Sequence, residues 1–292
     1  MYDIEALYEA ESPAHAIGLL EEHPEARIIA GGSDVLIEIR SGKLAGCTLV
    51  SIQKLDELRG VMIDHEGALR IGAMTSMSGV ASNPLIQKHF PVLAEAAETV
   101  GGPQLRNIAT LGGNVCNGVT SADTASTLMA FDAVMEYLGR AGKRLVPIQE
   151  HYIAPGKTSL AQGEILTAII IPRESYENCF GHYIKYAMRE ALDIATLGCS
   201  ANVRLSDDKH TIERLRIAYG VAGPVPMRAP SAEAAAGPVS EETIDAAARA
   251  VAADIKPRTS WRASAEFRLH LAEELARRAL RESIKRAGGV LI

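Results

Sequence analysis

The sequence predicts an α+β protein of two domains, and three observations carry that expectation. Its 292 residues suffice for roughly two cores at about 150 residues each. Helical and strand-like segments mingle over residues 1–176, whereas residues 177–292 open with strand patterns and close with helices, which is how α+β folds segregate. The composition is that of a folded chain, since 47% hydrophobic and 23% charged residues lie near globular averages and far from disordered, collagen-like or membrane-spanning classes. The boundary between 1–176 and 177–292 is expected near Glu177.

Each element follows from local signals. Ser12-Pro13 is an N-cap followed by proline at the first helical position, where its missing N–H costs nothing, and it predicts a helix over 13–22 that His23-Pro24 stops. Residues 27–30 read as a short buried strand ending abruptly at Gly31-Gly32-Ser33-Asp34, and 35–39 as helix. Strands are expected at 48–52 and 68–71, the second after a hairpin-like turn at 64–67. A helix over 91–100 aligns Leu93, Ala96, Ala97 and Val100 on one face. Residues 101–118 then carry five glycines, so extended or tightly turning backbone is expected there, and long irregular segments are usually functional. A small-residue helix at 122–130, a hairpin from 134–138 and 145–148, and a buried strand at 165–171 complete the first part. Antiparallel strands at 183–187, 198–205 and 215–221 precede helices beginning near Glu241 and Ser260.

Charge and cysteine usage narrow the function. A net charge of -6 repels phosphate backbones, so no nucleic-acid partner is expected. Residues 256–286 reverse that sign, with nine Lys or Arg against four Glu. The pairs Glu273/Arg277, Glu274/Arg278 and Glu282/Arg286 favour a solvated helix face, and docking to an acidic partner subunit is the second reading. Cys47, Cys116, Cys179 and Cys199 lie too far apart for an iron–sulfur cluster or structural zinc on this chain. The acidic start, with Asp3, Glu5, Glu9 and Glu11, holds no apolar run of signal length, so a cytoplasmic protein without a membrane partner is expected.

Familiar nucleotide and hydrolase signatures are missing: there is no G-x-G-x-x-G, no P-loop, no H-x-x-x-H pair and no G-x-S-x-G elbow. Two glycine turns remain, Ala30-Gly31-Gly32-Ser33-Asp34 and Thr110-Leu111-Gly112-Gly113-Asn114. A glycine pair after a buried strand lets successive N–H groups face one concavity with no Cβ in the way, which suits a diphosphate. Ser33 and Thr110 add hydroxyl donors, and Asn114 both donates and accepts. Taken singly, each turn is more commonly a simple bend.

The full words around these turns are Ile29-Ala30-Gly31-Gly32-Ser33-Asp34-Val35-Leu36 and Pro103-Gln104-Leu105-Arg106-Asn107-Ile108-Ala109-Thr110-Leu111-Gly112-Gly113-Asn114-Val115. They resemble the two FAD signatures of the flavoprotein subunits of molybdenum hydroxylases. The segment Tyr183-Ile184-Lys185-Tyr186-Ala187-Met188-Arg189-Glu190-Ala191-Leu192-Asp193-Ile194 and the ending Ser260-Trp261-Arg262-Ala263-Ser264-Ala265-Glu266-Phe267-Arg268 are similar to that family too, so the resemblance spans essentially the whole chain. Pro155-Gly156-Lys157 and the Ser-Trp-Arg-Ala-Ser ending point within it to the xanthine dehydrogenase type.

The resemblance implies an FAD-binding domain of the vanillyl-alcohol oxidase type followed by a smaller domain with an antiparallel sheet and helices. By motif match, Ile28, Ile29, Ala30, Gly31, Gly32, Ser33 and Asp34, with Ala109, Thr110, Leu111, Gly112, Gly113 and Asn114, would hold the diphosphate and ribityl chain. Asp123 would accept a hydrogen bond from the flavin pyrimidine edge, Ile165 would pack near the cofactor, and Lys185 would approach from the second domain. An ammonium there stabilises the negative charge of reduced flavin and raises its potential, whereas a carboxylate fixes orientation. Without the resemblance, Lys185 reads as a surface lysine on an edge strand and Asp123 as a helix N-terminal carboxylate. Arg189 and Asp193 would lie on a loop gating the acceptor, or form a structural ion pair. Cys116 reads as a small buried hydrophobe.

For function, the resemblance implies an FAD-bearing electron-transfer subunit with no catalytic residue of its own, passing electrons from two-iron two-sulfur clusters on a small partner through FAD to NAD. A large molybdopterin subunit would oxidise the substrate. The alternatives are the FAD subunit of a related hydroxylase acting on nicotinate, an aldehyde, carbon monoxide or an aromatic acyl thioester, a stand-alone flavin oxidase, and a non-enzymatic nucleotide-binding scaffold.

Overall fold

A computed structural model describes residues 2–291. The chain opens with strand β1 (Ile4–Glu9), helix α1 (Pro13–Glu22), strand β2 (Arg27–Ile29), helix α2 (Val35–Arg40) and strand β3 (Cys47–Ser51). Ser12 caps α1 by accepting from His15 N, as its sequence signal requires. The three strands form a parallel sheet of order β1-β3-β2. β1 lies outside the elements expected from the sequence, because an edge strand exposed on alternate residues carries only a weak hydrophobic signal. Strand β2 is exposed at Arg27 and half-buried at Ile28 and Ile29, which corrects the expectation of a buried strand.

Next come β4 (Val61–Ile63), β5 (Leu69–Gly72) and a run of short helices: α3 (Met77–Ser82), α4 (Pro84–His89), α5 (Pro91–Glu98), α6 (Pro103–Ile108), α7 (Leu111–Cys116) and α8 (Asp123–Ala130). Helices α6 and α7 overturn the expectation of irregular backbone over 101–118. Gly102 stands at the N-cap of α6 with Pro103 behind it, and the Thr110 side chain caps α7, so glycine and cap residues here start helices instead of preventing them. The remainder of this part is β6 (Val134–Gly139), β7 (Gly142–Pro147), α9 (Ile148–His151), the small hairpin β8 (Tyr152–Ala154) and β9 (Lys157–Thr158), β10 (Ile165–Ile171) and α10 (Arg173–Tyr176). An antiparallel sheet of order β4-β5-β10-β6-β7 results. Its core gathers Leu69, Ile71, Leu93, Phe131, Tyr137 and Ile169.

The third sheet is antiparallel in the order β11 (Phe180–Tyr186), β12 (Leu197–Leu205), β13 (Ile212–Gly220) and β14 (Met227–Arg228). Helices α11 (Pro230–Glu233), α12 (Glu241–Ala250) and α13 (Ala265–Arg286) follow, and α12 and α13 share a second core with the sheet, built from Val203, Ile217, Tyr219, Ile244, Leu275 and Leu280. Helix α13 starts later than its expected onset at Ser260, because residues 260–263 close a turn bridged by Ser260 and Ala263 and Ser264 supplies the cap to Phe267 N. The i,i+4 pairs expected on α13 form at Glu273–Arg277, Glu274–Arg278 and Glu282–Arg286. Among the described residues no helix is long and apolar enough to cross a membrane, and no three His, Cys, Asp or Glu gather as a metal site.

Candidate functional site

The first glycine turn joins β2 to α2. Gly32 takes φ +74°, in the left-handed region that glycine enters without penalty. A Cβ on Gly31 would fall 1.9 Å from the Ile108 carbonyl oxygen, so only glycine lets this turn meet the end of α6. Among the described residues no protein acceptor takes up the N–H groups of Gly32 and Ser33, which leaves them available to an anion.

The second turn is the first turn of α7; it follows α6 where a buried strand was expected, and the N–H groups of Leu111, Gly112, Gly113 and Asn114 all bond within the protein, so it forms no open nest. Thr110 Oγ1 accepts from Gly113 N at 3.0 Å, while Leu111 N and Gly112 N donate to the carbonyls of Thr75 and Ala73 at 2.9 and 2.8 Å. A Cβ on Gly112 would lie 2.7 Å from that of Ala73, so this glycine serves close packing. Gly113 is exposed, and the half-buried Asn114 accepts from Thr124 Oγ1 at 2.6 Å, leaving its amide donors free. Beneath the helix, buried His151 donates from Nε2 to the Val115 carbonyl at 3.1 Å and accepts from the Tyr137 hydroxyl at Nδ1. Burial lowers its pKa and keeps the ring neutral.

Asp123 begins α8 beside Thr124, and Lys185 reaches it from β11. Lys185 Nζ donates to Asp123 Oδ2 at 2.8 Å and to the Thr99 carbonyl at 3.0 Å, and Tyr183 OH donates to Asp123 Oδ1 at 3.1 Å. Both charged side chains are only 9% exposed, so Lys185 is not the surface lysine its edge strand allowed. Burial raises the Asp123 pKa even against the pull of Lys185 and Tyr183. The two residues thus form one buried pair, in which the carboxylate offsets part of the ammonium's field and its two oxygens retain capacity for another donor.

Other expected residues fall in different surroundings. Leu111 is fully buried. Ile165 is buried at the start of β10, in the small core with Ile28 and Ala30 at its edge. Asp193 accepts from Met188 N and Arg189 N, each at 3.0 Å, which closes this loop, and the ion pair with Arg189 of the alternative reading is present at 3.6 Å. Leu192 reaches Gly102, against which a Cβ would meet its side chain at 3.0 Å. Burial pushes the Cys116 thiol up to about 12, which leaves it a protonated packing group. Gly156 N donates to the Gly118 carbonyl at 3.0 Å, docking the Pro155-Gly156-Lys157 hairpin below α7.

Sequence reasoning did not single out Tyr183, Thr124, Thr99 or His151. The period of two along β11 places Tyr183 on the face of Lys185, a usable signal. Nothing local marks His151, whose partners come from α7 and β6.

Residues 2–174 match the FAD binding domain in molybdopterin dehydrogenase, and residues 182–283 match the CO dehydrogenase flavoprotein C-terminal domain. The chain belongs to the FAD-binding subunits of the molybdenum hydroxylases. These subunits include a putative xanthine dehydrogenase FAD-binding subunit of Escherichia coli K12, 42% identical over 293 residues with all of both chains covered. A nicotinate dehydrogenase FAD-subunit of Eubacterium barkeri is 30% identical over 79% of each chain. Among solved structures, a carbon monoxide dehydrogenase from Hydrogenophaga pseudoflava superposes with a TM-score of 0.92 at 29% identity, covering 98% of this chain and 99% of that one. As a molybdenum hydroxylase flavin subunit the chain is an oxidoreductase component, and the glycine contacts, free N–H groups and spare acceptor capacity of Asp123 fit an FAD.

Proposed function

We propose that this chain is the FAD-binding electron-transfer subunit of a cytoplasmic xanthine dehydrogenase, set between an iron–sulfur small subunit, a molybdopterin large subunit and NAD. The reading is carried by the packing of the first glycine turn, at Gly31, against Ile108 and Ala109, the residues that lead into the second, in a chain similar over its whole length to a xanthine dehydrogenase flavin subunit. Bound FAD supplies the conversion between single-electron and hydride transfer. The chain's own part is binding and orientation. The free N–H groups of Gly32 and Ser33 suit the diphosphate, and Thr110 and Asn114 suit hydroxyls of the ribityl chain. Asp123, held by Lys185 and Tyr183, orients the pyrimidine edge. Ala30, Gly112 and Ile165 pack behind the glycine turns, and the folded loop around Asp193 borders the acceptor's approach. Residues 1–176 would form the FAD-binding domain and 177–292 the domain that delivers Lys185.

Purification with the native partner subunits tests this directly. Yellow flavin absorbance, co-purifying iron and molybdenum, and xanthine-dependent NAD reduction are expected. Activity with nicotinate or carbon monoxide and none with xanthine would replace the substrate; flavin without iron or molybdenum would indicate a stand-alone oxidase.

A further inference from the structure

Most of the positive charge at the end of the chain is neutralised within the fold. On α13, Arg277 pairs with Asp245, Arg278 with Glu274, Arg281 with Glu241, and Arg286 with Glu95 and Glu282. The segment before α13 differs. Among the described residues Lys256, Arg258 and Arg262 have no carboxylate within 4.0 Å. Trp261 between them is 76% exposed and carries the Arg262 guanidinium 4.2 Å from its ring centroid. The Nε of Arg262 is buried and has no hydrogen-bond partner.

Arg268 explains how this segment is held. It is 2% exposed, yet it meets no carboxylate; it donates to the carbonyls of Thr196, at 3.1 Å, and Arg258, and to Ser260 Oγ at 2.8 Å. One buried guanidinium thus ties the Trp261 segment to the end of the β11–β12 loop. An unpaired buried charge is costly, and what it secures here is the shape of one face. That face continues through the exposed side chains of Met188 and Ile194 and through Tyr186 and Phe267, in edge contact at 6.0 Å.

We infer that this face docks a partner subunit of the enzyme assembly, one presenting an apolar socket for Trp261 ringed by Asp and Glu. The inference rests on the reading of this chain as one subunit of a heteromeric enzyme. An exposed Trp with flanking Arg and Tyr, surrounded by apolar area, has the composition of an interface hot spot. Three free cations on a chain of charge -6 do not make a phosphate-backbone site.

Trp261→Ala and the double charge reversal Arg258→Glu/Arg262→Glu, each co-expressed with the native partner subunits, test the inference. Both are expected to weaken retention of the partners by roughly 30-fold, with the flavin absorbance of the chain itself unchanged and its melting temperature not lowered. Charge reversal should also invert the salt dependence of assembly, because added salt then screens repulsion instead of attraction. Variants that retain iron and molybdenum in wild-type ratio would overturn the inference. A wild-type chain that is dimeric alone, and monomeric as Trp261→Ala, would overturn it in favour of a second copy. A wild-type chain that brings down neither iron nor molybdenum would sink the functional reading instead.

Discussion

Lys185 and Asp123 are legible as individual residues but act as a pair. Lysine is seldom buried without a partner, and here the partner is a carboxylate whose own pKa burial raises. Lys185→Met should cost about 3 kcal/mol in urea unfolding near pH 7, because it leaves a buried charge unpaired. A raised folded-state pKa contributes stability at low pH that is lost as pH rises through it. The penalty of Lys185→Met should therefore shrink on acidification, as the stranded Asp123 takes up a proton. A penalty constant with pH would mean that Asp123 is not the group Lys185 supports. At Gly31 the constraint is steric. Gly31→Ala puts a methyl into the Ile108 carbonyl, which is expected to cost about 1–3 kcal/mol by overpacking and to lower the flavin-to-protein ratio after purification. A full complement of flavin with an unchanged melting temperature would show that Gly31 does not pack against the end of α6.

At the scale of elements, strands β5, β10 and β6 are clamped by Glu136. Its carboxylate receives Arg70 at 2.8 and 2.6 Å and Thr167 Oγ1 at 2.5 Å. Burial alone would raise its pKa, but the hydrogen bonds from Arg70 and Thr167, with the charges of Arg70 and Lys143, lower it from 4.5 to about 2. A depressed carboxylate stabilises the fold above its unfolded pKa, and this contribution is lost as pH falls towards the folded value. The shift corresponds to about 3 kcal/mol, so Glu136→Gln should flatten the decline of unfolding free energy between about pH 5 and pH 2. Equal slopes in both proteins would remove Glu136 from the acid response. The elements also show where local signals suffice. Ser12-Pro13 yields α1 and the apolar run 165–171 yields β10, because caps and burial act over a few residues. Over 101–118 the glycines argued for irregular backbone, yet Gly102 and Thr110 cap helices there, and Gly112 is glycine because Ala73 packs where its Cβ would be.

At the scale of the whole molecule, ion pairs from Glu95 and Asp132 tie the third sheet to the rest. Arg286 of α13 donates to Glu95 of α5 and, at 2.9 Å, to the Gly181 carbonyl, while His182 Nδ1 lies 3.0 Å from the same Glu95. Burial would raise the Glu95 pKa, but its bonds with His182 and Arg286 hold it below the usual carboxylate range. On the other side, Asp132 accepts from Arg214 of β13 at 2.5 Å and Arg228 of β14 at 2.6 Å. Asp132 adopts φ +49°, which asparagine tolerates, so Asp132→Asn removes charge without straining the backbone. It should cost about 3 kcal/mol, as a partly buried pair is broken, and split calorimetric unfolding into two transitions. A single, unshifted transition would show that the arginines find other partners.

The sequence by itself determined the segregated α+β order, the capped helices and the glycine words on which the flavin resemblance rests, since capping, periodicity and steric permission are properties of neighbouring residues. Tertiary structure decided that Gly31 meets Ile108, that Lys185 closes on Asp123, and that Arg268 joins two loops through Thr196 and Arg258. Each of these contacts joins distant positions, and their geometry depends on how the sheets and helices pack together, which no local pattern encodes.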